Sequence, residues 1–495
     1  MRAPVFSASN LGALVLRDAH EGGYLDAASG EMYSAVAIDE LASRAAAAAR
    51  QQGWKRGQVV AILAENGVSF VAAYLGLMRA GLIVAPLSYR LPRETLAFMA
   101  ADCGSVAVLA SSAQMHIAPL GLPTLDISEF GRVASVHSHV EEMHANEIAE
   151  ILYTSGSTGR PKGVPLSHGG QLWALRRFSE VSSGVPERTI IAAPAYHMNG
   201  LFFTAVTLAL GWFAVSMPKF DARQYLELAA RHRCTTLSGI PTMFAMMARE
   251  KEALSRLDFS SVKDVIIGSA PLTVSLLERV NSIFPNATVR NSYGTTETGP
   301  AMFGPHPEGL PRPPLALGYP YPDVEWRLVG PGAPDEGELE TRTPATLGAY
   351  LNLPDVSAQR LCLGWYKTGD ILRRDEEGFF YFSGRADDMF VCGGENVYPG
   401  EVEKLLEKHS GVLQAAVVPV EDELKGAIPV AFVTRASDSN VSADELRQFA
   451  LSNGPAFSHP RAILFLDALP IGGTHKVDKS ALLLAARQAV MRLDR

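Results

Sequence analysis

The chain has 495 residues, of which 47% are hydrophobic and 19% are charged. This composition supplies enough apolar side chains for a large core and excludes a disordered or fibrous protein. Lys and Arg number 44 and Asp and Glu number 52, which gives a net charge of -8. This balance argues against duplex DNA as the main partner, because a duplex requires a basic protein surface. A small anionic ligand needs only local positive charge and is still allowed.

The spacing of the cysteines, the N-terminus and the longest apolar segment indicate the cellular compartment of the protein. No Cys-x-x-Cys pair occurs among the four widely spaced cysteines, which are Cys103, Cys234, Cys362 and Cys392. We therefore expect free thiols in a reducing compartment. The N-terminus shows no secretory signal. The uncharged stretch from Leu201 to Pro218 approaches the length of a membrane span, but Gly211 divides it into a predicted buried helix and a predicted buried strand. We expect a cytoplasmic protein with no membrane span.

Strand-like apolar runs alternate with amphipathic helical stretches through the first two thirds of the chain. Strands are predicted at Val59 to Leu63, Ile83 to Leu87, Ser105 to Ala110 and Asp264 to Ala270. Helices are predicted near Ser69 to Arg79 and near Val274 to Ile283. This alternation predicts an α/β fold with parallel-type sheets covered by helices on both faces. From Gly318 to Tyr381, short strands and a Pro-Gly turn predict a β-rich subdomain.

The C-terminal part of the chain reads as a separate unit. Strands are predicted at Val412 to Val420 and at Pro429 to Thr434, and Ser442 with Glu445 forms a capping box before a helix. The polar segment Gly384 to Asp388 is the predicted joint. We therefore predict a large N-terminal domain over residues 1–385 and a small, mobile α+β C-terminal domain over residues 386–495.

The most informative stretch runs from Tyr153 to His168 and reads YTSGSTGRPKGVPLSH. Its glycines let backbone N–H groups turn toward an anion, its hydroxyls add donors, and Lys162 supplies a positive charge. The pattern predicts a loop that holds nucleotide phosphates, with a flexible polar turn as the alternative. It is not a Walker P-loop, because the chain contains no Gly-Lys dipeptide.

As a whole string, this loop resembles the signature loop of the adenylate-forming superfamily, which includes acyl-CoA synthetases, peptide-synthetase adenylation domains and luciferases. Further motifs follow in the family's order, and they are GSAPL from Gly268, NSYGTTETG from Asn291, YKTGD from Tyr366, GRADDMFVCGGENVYPGEVE from Gly384 and LPIGGTHKVDKSAL from Leu469. The resemblance covers most of the chain. It implies a carboxylic acid–CoA ligase that uses ATP, Mg²⁺ and CoA, makes an acyl-adenylate with release of pyrophosphate, and then forms a thioester with release of AMP.

The resemblance also implies which residues bind the nucleotide. The first group is the loop itself, namely Thr154, Ser155, Gly156, Ser157, Thr158, Gly159 and Lys162. The second group is Gly268, Ser269, Ala270, Asn291, Tyr293, Gly294 and Thr295. Tyr293 is expected against the adenine ring, with a packed aromatic as the alternative, while Asp370 and Arg385 are expected at the ribose hydroxyls. Thr296 is expected at the α-phosphate, and Glu297 is expected to hold the metal.

A lysine and a hinge carry the implied mechanism. Lys476 is expected to bridge the substrate carboxylate and the α-phosphate, where negative charge builds up. The family usually has Gly before this lysine, whereas this chain has His475, which changes how freely the loop swings. Asp387 is the implied hinge about which the small domain rotates between the two steps. After rotation, Gly393 and Gly394 are expected to line the pantetheine path, with a simple tight turn as a compatible interpretation.

His197 matches the family's position near the acyl carboxylate, where it orients the substrate or gates the tunnel. A general base is not needed there, because the attacking carboxylate is already ionised at pH 7. The predicted acyl pocket takes residues from Met198 to Phe202, Ile240 to Phe244 and Gly268 to Ala270, with Met302 near the floor. The sequence shows no clear arginine for a second carboxylate. We expect an aromatic monocarboxylate of the benzoate or hydroxycinnamate type, with medium-chain fatty acids as the alternative.

Several rival functions stay open. The adenylate could pass to a carrier-protein thiol, although no carrier domain follows Lys476 within the chain. A luciferase-like oxidase and a non-catalytic acyl-nucleotide binding protein are the other rivals. The presence of Lys476, Thr296 and Glu297 disfavours a mere binder. The expected partners are small molecules, and the sequence does not determine whether the protein forms a homodimer.

Overall fold

The computed structural model describes residues 9–15, 22–119, 121–132, 139–154, 160–182, 186–330, 334–422, 424–436, 439–472 and 477–493. Strands and helices alternate in the first part of the chain, as predicted. The elements up to residue 180 are β1 (Gly23–Asp26), β2 (Met32–Ser34), α1 (Ala35–Gln51), β3 (Val59–Leu63), α2 (Val68–Arg79), β4 (Ile83–Pro86), α3 (Arg93–Asp102), β5 (Ser105–Ala110), β6 (Thr124–Asp126), β7 (Ile148–Thr154), β8 (Lys162–Ser167) and α4 (His168–Glu180).

A six-stranded sheet in the order β6-β5-β3-β4-β7-β8 forms the first layer of the described chain. Its strands are parallel except for β8, which runs antiparallel to β7. All five residues of β3 are buried, as expected for a continuous run of apolar residues covered on both faces. The β7–β8 hairpin is important for the site, because the predicted phosphate loop joins these two strands.

The next part of the chain builds a second sheet. Its elements are β9 (Arg188–Ile191), α5 (Met198–Leu210), β10 (Phe213–Ser216), α6 (Ala222–Arg231), β11 (Thr236–Gly239), α7 (Pro241–Met247), α8 (Lys251–Arg256), β12 (Asp264–Gly268), α9 (Val274–Ile283) and β13 (Thr288–Ser292). The sheet has the order β13-β12-β11-β9-β10-β1-β2. Its strands are parallel except for β2 at one edge.

The apolar stretch from Leu201 to Pro218 divides as the sequence predicts. Helix α5 ends at Gly211, which adopts a left-handed conformation with φ 66°, and strand β10 follows. Glycine is favoured at such a helix end because it has no Cβ to clash. No helix among the described residues is long and apolar enough to cross a membrane.

The predicted β-rich subdomain contains a five-stranded antiparallel sheet, a separate two-stranded sheet of β14 and β15, and one short helix. Its elements are β14 (Phe303–Gly304), β15 (Tyr319–Pro320), β16 (Glu325–Val329), β17 (Glu336–Arg342), α10 (Pro354–Arg360), β18 (Leu361–Cys362), β19 (Trp365–Arg374) and β20 (Phe380–Arg385). Strands β16, β17, β19 and β18 follow one another in the sheet, and β20 pairs with β19. Leu339, Leu372 and Phe380 from this sheet join one buried core with residues of both parallel sheets. The five-stranded sheet and the two parallel-type sheets therefore share one core and form one large domain.

The small C-terminal domain has a hydrophobic core of its own. Its elements are β21 (Phe390–Cys392), β22 (Glu395–Val397), α11 (Pro399–Leu406), β23 (Val412–Asp422), β24 (Gly426–Arg435), α12 (Ala443–Asn453), β25 (Ala462–Phe465) and α13 (Lys479–Leu493). The buried residues of this core run from Cys392 to Ala486. The Ser442 hydroxyl accepts a hydrogen bond from the Glu445 N–H at the start of α12, as the capping signal predicts. The predicted boundary after Arg385 falls between β20 and the first residue of this core.

Candidate active site

A cleft of about 2000 Å³ lies between the large domain and the small domain. Parallel strands β12 and β13 end beside it, as expected for a ligand site in an α/β sheet. Most of the described site residues that the sequence predicts line this cleft, and they are Thr154, Lys162, Gly268, Ser269, Ala270, Asn291, Tyr293, Gly294, Thr295, Thr296, Glu297, Asp370, Arg385 and Asp387. Residues that are up to 233 positions apart, from Thr154 to Asp387, therefore meet at one cavity.

The β7–β8 hairpin places the two ends of the predicted phosphate loop at the cleft. Thr154 and Lys162 are register partners across the hairpin. The Thr154 hydroxyl is buried and has no hydrogen-bond partner among the described residues. The predicted phosphate ligands Ser155, Gly156, Ser157, Thr158 and Gly159 lie outside the described residues. The pairing of Thr154 with Lys162 thus fixes where this loop begins and ends.

The Glu297 carboxylate is buried and held by a tyrosine. Tyr350 donates a hydrogen bond of 2.9 Å to Glu297 Oε1, and the hydroxyls of Tyr350 and Tyr366 are 2.9 Å apart. The Lys162 ammonium lies 4.9 Å from the centroid of the Tyr350 ring. Burial, together with the Glu297 charge, raises the pKa of Tyr350 well above its usual value, so this phenol stays a hydrogen-bond donor. Tyr350 thereby brings the predicted phosphate lysine and the predicted metal ligand together.

The donor set around Glu297 fits Mg²⁺ better than a metal held by protein alone. The described residues contain no group of three His, Cys, Asp or Glu side chains that could hold a metal ion. Mg²⁺ is usually bound through one or two carboxylates, with phosphate oxygens and waters completing the shell. A single buried carboxylate beside the phosphate loop matches that pattern.

The segment from Gly294 to Gly299 folds tightly around Thr295. The Thr298 N–H donates to Thr295 Oγ1 at 3.1 Å, and the Gly299 N–H donates to the Thr295 carbonyl at 3.0 Å. A Cβ on Gly294 would lie 2.6 Å from the Gly299 carbonyl oxygen, so a larger residue does not fit there. Thr296, at the outside of this turn, is half-buried and lines the cleft.

The segment after β12 reaches the cleft through an unusual backbone conformation. Ser269 has φ 66°, a left-handed value that is rare for a residue with a Cβ. Such conformations concentrate at ligand sites, where the surrounding structure holds them. A Cβ on Gly268 would lie 2.9 Å from the Ser292 carbonyl oxygen, which explains the glycine in this motif. Nearby, Asn291 Nδ2 donates to the Leu315 carbonyl at 2.8 Å.

Asp370 lies at the centre of a buried hydrogen-bond network. Its two carboxylate oxygens accept hydrogen bonds from Tyr293 at 2.6 Å and from Arg385 at 2.7 Å. Arg385 reaches it because the two residues are register partners on β20 and β19. Asp370 is only 5% exposed, and burial, followed by the charge of this carboxylate, raises the pKa of Tyr293 well above its usual value. The structure thus joins the predicted adenine and ribose residues in one network.

The predicted hinge residue contacts the large domain through two arginines. Asp387 Oδ2 accepts hydrogen bonds from Arg360 at 2.7 Å and from Arg385 at 3.3 Å. Partial burial opposes its ionisation, but the hydrogen bonds and charges of Arg360 and Arg385 together outweigh burial and lower the pKa of Asp387. Gly369, with φ 73°, lets these groups approach, because a Cβ there would lie 3.0 Å from Asp387 Oδ2. Arg360 is not among the predicted site residues, because no sequence motif marks the end of α10.

The segment around Lys476 approaches the cleft from the small domain. Lys476 and His475 lie outside the described residues, but Ile471 and Val477 on either side of them form an antiparallel bridge. Leu469 and Val477 line the cleft. Gly393 and Gly394, with φ 62° and 90°, form the turn between β21 and β22 and are not among the residues that line it. The structure therefore places Leu469 and Val477, which lie on either side of Lys476 in the chain, at the cleft, whereas Gly393 and Gly394 do not line it.

The predicted acyl pocket is largely apolar and begins at α5. His197 is the residue before this helix, is half-buried and has its ring 4.6 Å from the Tyr196 ring. The next two residues line the cleft. Apolar residues that also line it are Phe178, Phe202, Phe203, Pro241, Ile266 and Ala301. Met302, the predicted floor residue, is fully buried. The rings of Phe178, Phe202 and Phe203 meet edge to face.

Two arginines, Arg290 and Arg312, line the cleft. Each already has partners. Arg290 Nε lies 2.9 Å from Asp264 Oδ1, and Arg312 donates to the carbonyl oxygens of Asn291 and Gly304. Burial lowers the pKa of Arg312 to about 10. Arg290 directly precedes the motif that begins at Asn291. In the register of β12 and β13 it is paired with Ile266, and its side chain reaches Asp264 two residues earlier on the neighbouring strand.

Matches to protein families cover most of the chain. Residues 20–351 match the family described as AMP-binding enzyme, and residues 401–476 match the AMP-binding enzyme C-terminal domain. The chain is 30% identical to a 2-succinylbenzoate–CoA ligase of Geobacillus sp. over 86% of this chain and 87% of that one. It is also 30% identical to a feruloyl-CoA synthase of Amycolatopsis sp over 90% of this chain and 93% of that one.

The fold has a close counterpart among solved structures. The crystal structure of the anthranilate CoA ligase AuaEII superposes with a TM-score of 0.88 over 97% of this chain and 98% of that one, at 22% identity. At this level of identity the likeness concerns the fold alone. Together with the family matches and the motifs assembled at the cleft, it establishes that the chain belongs to the AMP-binding enzyme family of adenylate-forming enzymes.

Proposed function

We propose that the protein is an AMP-forming carboxylic acid–CoA ligase that acts on an aromatic monocarboxylate of the benzoate or hydroxycinnamate type. The supporting observation is that one cleft joins the Glu297 and Asp370 networks to an apolar pocket lined by phenylalanine rings. Aromatic rings pack favourably against such edge-to-face clusters. The 30% identical relatives named for succinylbenzoate and ferulate support an aromatic acid, and the one named for ferulate supports a monocarboxylate.

In the first proposed step, the acid carboxylate attacks the α-phosphorus of ATP, and pyrophosphate leaves. Tyr293 packs on the adenine, and Asp370 with Arg385 binds the ribose hydroxyls. The loop from Thr154 to Gly159, with Lys162, holds the outer phosphates. Thr296 and Lys476 bind the oxygens on which charge builds up in the transition state. Glu297 holds Mg²⁺, which neutralises phosphate charge when it is bound.

In the second proposed step, the CoA thiolate attacks the acyl carbonyl, the thioester forms and AMP leaves. The residues over 386–495 act as one mobile domain that rotates at Asp387 between the steps. We assign the arrangement in which Leu469 and Val477 line the cleft to the first step. Rotation would carry the Gly393–Gly394 turn to the pantetheine path. We further propose a reducing, cytoplasmic location, in keeping with four unpaired cysteines.

A panel of acids assayed for CoA-dependent AMP formation tests the proposal. Benzoates, hydroxycinnamates and medium-chain fatty acids should be compared, with pyrophosphate exchange measured in parallel. A preference for an aromatic acid supports the proposal. A preference for a fatty acid overturns the proposed class of acid but still supports the acid–CoA ligase reaction. No exchange with any acid would indicate a non-catalytic binder. Adenylation without consumption of free CoA would indicate a carrier-protein thiol as the acceptor.

The proposed role of Lys476 has a test of its own. Lys476→Ala should lower the rate of adenylation by an amount equivalent to roughly 3–4 kcal/mol of barrier, on the scale of a lost oxyanion donor. Thioester formation from supplied acyl-adenylate should be mostly retained, because the lysine is not needed in the rotated state. Lys425→Ala, at an exposed position of the same domain, is the matched control. Equal loss of both half-reactions in Lys476→Ala would contradict the hinge mechanism.

A further inference from the structure

One short segment of the large domain holds the proposed metal ligand by two hydrogen bonds. This segment comprises residues 347–352 and is called the bridging segment below. The Leu347 N–H donates to the Glu297 carbonyl oxygen at 2.8 Å, and the Tyr350 hydroxyl donates to Glu297 Oε1 at 2.9 Å. The backbone and the carboxylate of Glu297 are therefore both fixed from the bridging segment.

The bridging segment also packs against the hairpin that carries the predicted phosphate loop. The Leu351 N–H donates to the carbonyl oxygen of Gly163 in β8 at 2.9 Å. Gly163 is the register partner of Tyr153 in β7, and a Cβ on Gly163 would lie only 3.1 Å from Leu351 Cβ. The missing side chain thus lets the two backbones lie close together. The bridging segment therefore contacts the hairpin directly beside the loop.

Asp102, the last residue of α3, joins the bridging segment to the start of the phosphate loop. The hydroxyl of Tyr153, which directly precedes Thr154, donates to Asp102 Oδ2 at 2.9 Å. From the other side, Asn352 Nδ2 donates to the Asp102 carbonyl oxygen at 2.7 Å and to Asp102 Oδ1 at 3.1 Å. The last carbonyls of a helix have no partner within the helix, so this amide satisfies one of them. Neither Asp102 nor Asn352 lines the cleft.

We propose that Asp102 and Asn352 are positioning residues for the phosphate end of the nucleotide. Together they set the bridging segment against the β7–β8 hairpin and so fix the spacing between Glu297 and the two ends of the phosphate loop. The inference rests on the nucleotide site of the proposed function and extends it to residues outside the cleft. Mg²⁺ demands near-ideal octahedral geometry, so the carboxylate and the loop must be held at one spacing. Residues that orient metal ligands from behind affect metal affinity without touching the metal.

The experiment measures the binding of Mg·ATP to the full-length protein by calorimetry, without any acid. Asp102→Ala removes both side-chain hydrogen bonds and should raise Kd by about tenfold, the scale of one hydrogen bond. Pyrophosphate exchange at subsaturating Mg·ATP should fall by a similar factor. Thioester formation from supplied acyl-adenylate should stay within about twofold of wild type, because the outer phosphates have already left. A purely structural role of Asp102 would instead lower both half-reactions.

Two further variants sharpen the test. Asp126→Ala is the matched control, because Asp126 lies in the same sheet, accepts a hydrogen bond from Ser112 at 2.7 Å and does not line the cleft. It should leave Kd unchanged. Asn352 has φ 52°, so Asn352→Gly keeps the left-handed backbone, removes the amide and should raise Kd by about threefold. Combined with Asp102→Ala it should raise Kd by less than the product of the two effects, because both variants break one contact.

The outcomes separate the inference from the proposed function. An unchanged Kd in Asp102→Ala, an equal loss of both half-reactions, or effects that simply multiply in the double variant would each overturn the inference and leave the proposed function standing. If Asp102→Ala does not fold, as judged by thermal melting, Asp102→Asn takes its place. If the wild-type protein binds Mg·ATP but shows no exchange with any acid, the proposed function fails while the binding measurements still decide the inference. If it does not bind Mg·ATP, both fail.

Discussion

The ammonium group of Lys479 lies 3.1 Å from the Asp388 carboxylate and 3.4 Å from the Glu403 carboxylate. Lys479 is the first residue of α13 and follows Lys476 by three positions, whereas Asp388 directly follows the proposed hinge residue Asp387. Burial opposes the charge on Lys479, but the two carboxylates raise its pKa and keep it ionised. This contact connects the start of α13, just after Lys476, to the residue that follows the proposed hinge.

Lys479→Met should therefore weaken adenylation, because the segment that carries Lys476 loses its contact with Asp388 and Glu403. We expect pyrophosphate exchange to fall by about tenfold, the scale of one charge-assisted hydrogen bond. Thioester formation from supplied acyl-adenylate should stay near the wild-type rate. Lys479→Arg should restore most of the exchange, and the exposed control Lys425→Met should leave it unchanged. A uniform loss of both half-reactions in Lys479→Met would show that the contact serves overall stability instead.

Tyr350→Phe should raise the Mg²⁺ concentration needed for half-maximal adenylation. The variant removes the hydroxyl that holds Glu297 Oε1 at 2.9 Å, so the carboxylate loses its orientation. We expect the rate at low Mg²⁺ to fall by about tenfold and to recover at high Mg²⁺. Tyr33→Phe is a matched control, because the Tyr33 hydroxyl donates to Glu31 on the exposed surface. An unchanged Mg²⁺ dependence would remove Tyr350 from the proposed metal site.

Asp370→Asn should weaken the use of ATP and leave the binding of the acid nearly unchanged. The amide cannot accept hydrogen bonds at both positions now bound by Tyr293 and Arg385, and it weakens the interaction with the ribose. We expect kcat/KM for ATP to fall by about 10- to 100-fold, while KM for the acid changes little. Asp375→Asn is the control, because Asp375 accepts a hydrogen bond from Tyr381 at 2.9 Å and does not line the cleft. An equal effect on both substrates would argue against the ribose assignment.

The raised pKa of the buried Glu407 carboxyl predicts that the stability of the protein depends measurably on pH. Burial raises the pKa of this carboxyl to about 7, although the Ala415 N–H bonded to Glu407 Oε1 works in the opposite direction. Between about pH 4.5, where the unfolded chain releases this proton, and pH 7, the folded protein keeps it. The folded state then binds more protons than the unfolded state, so stability falls as the pH rises through this window and levels off above it.

Glu407→Gln should flatten this decline, because the amide stays neutral and keeps an oxygen for the Ala415 N–H. Melting temperatures of the variant and the wild-type protein, measured from pH 5 to pH 8, should diverge by about 2–4 °C at the upper end, with the variant more stable. Glu150 is a second buried carboxyl whose pKa is raised to about 7, so some slope should remain. Parallel curves for the two proteins would show that Glu407 does not titrate in this window.

Local patterns in the sequence were sufficient for the fold class and for most of its elements. The predicted strand Val59–Leu63 and the predicted helix Val274–Ile283 appear with the expected bounds, and Gly211 ends α5 where the apolar stretch was expected to divide. Periodicity, caps and glycines act within one element, so a single sequence is enough to reveal them. The ordered motifs likewise identified the family, because each motif is a continuous string.

The contacts between distant elements required the tertiary structure. The hydroxyl of Tyr350 reaches Glu297 across 53 positions, and Arg360 binds Asp387 across 27. Neither Tyr350 nor Arg360 belongs to a pattern that points to its partner. The sequence by itself determined the family and its chemistry, because the motifs that identify them are short continuous segments of the chain. Only packing decided which side chains hold the reactive groups in place, because that depends on the register and orientation of elements far apart in the chain.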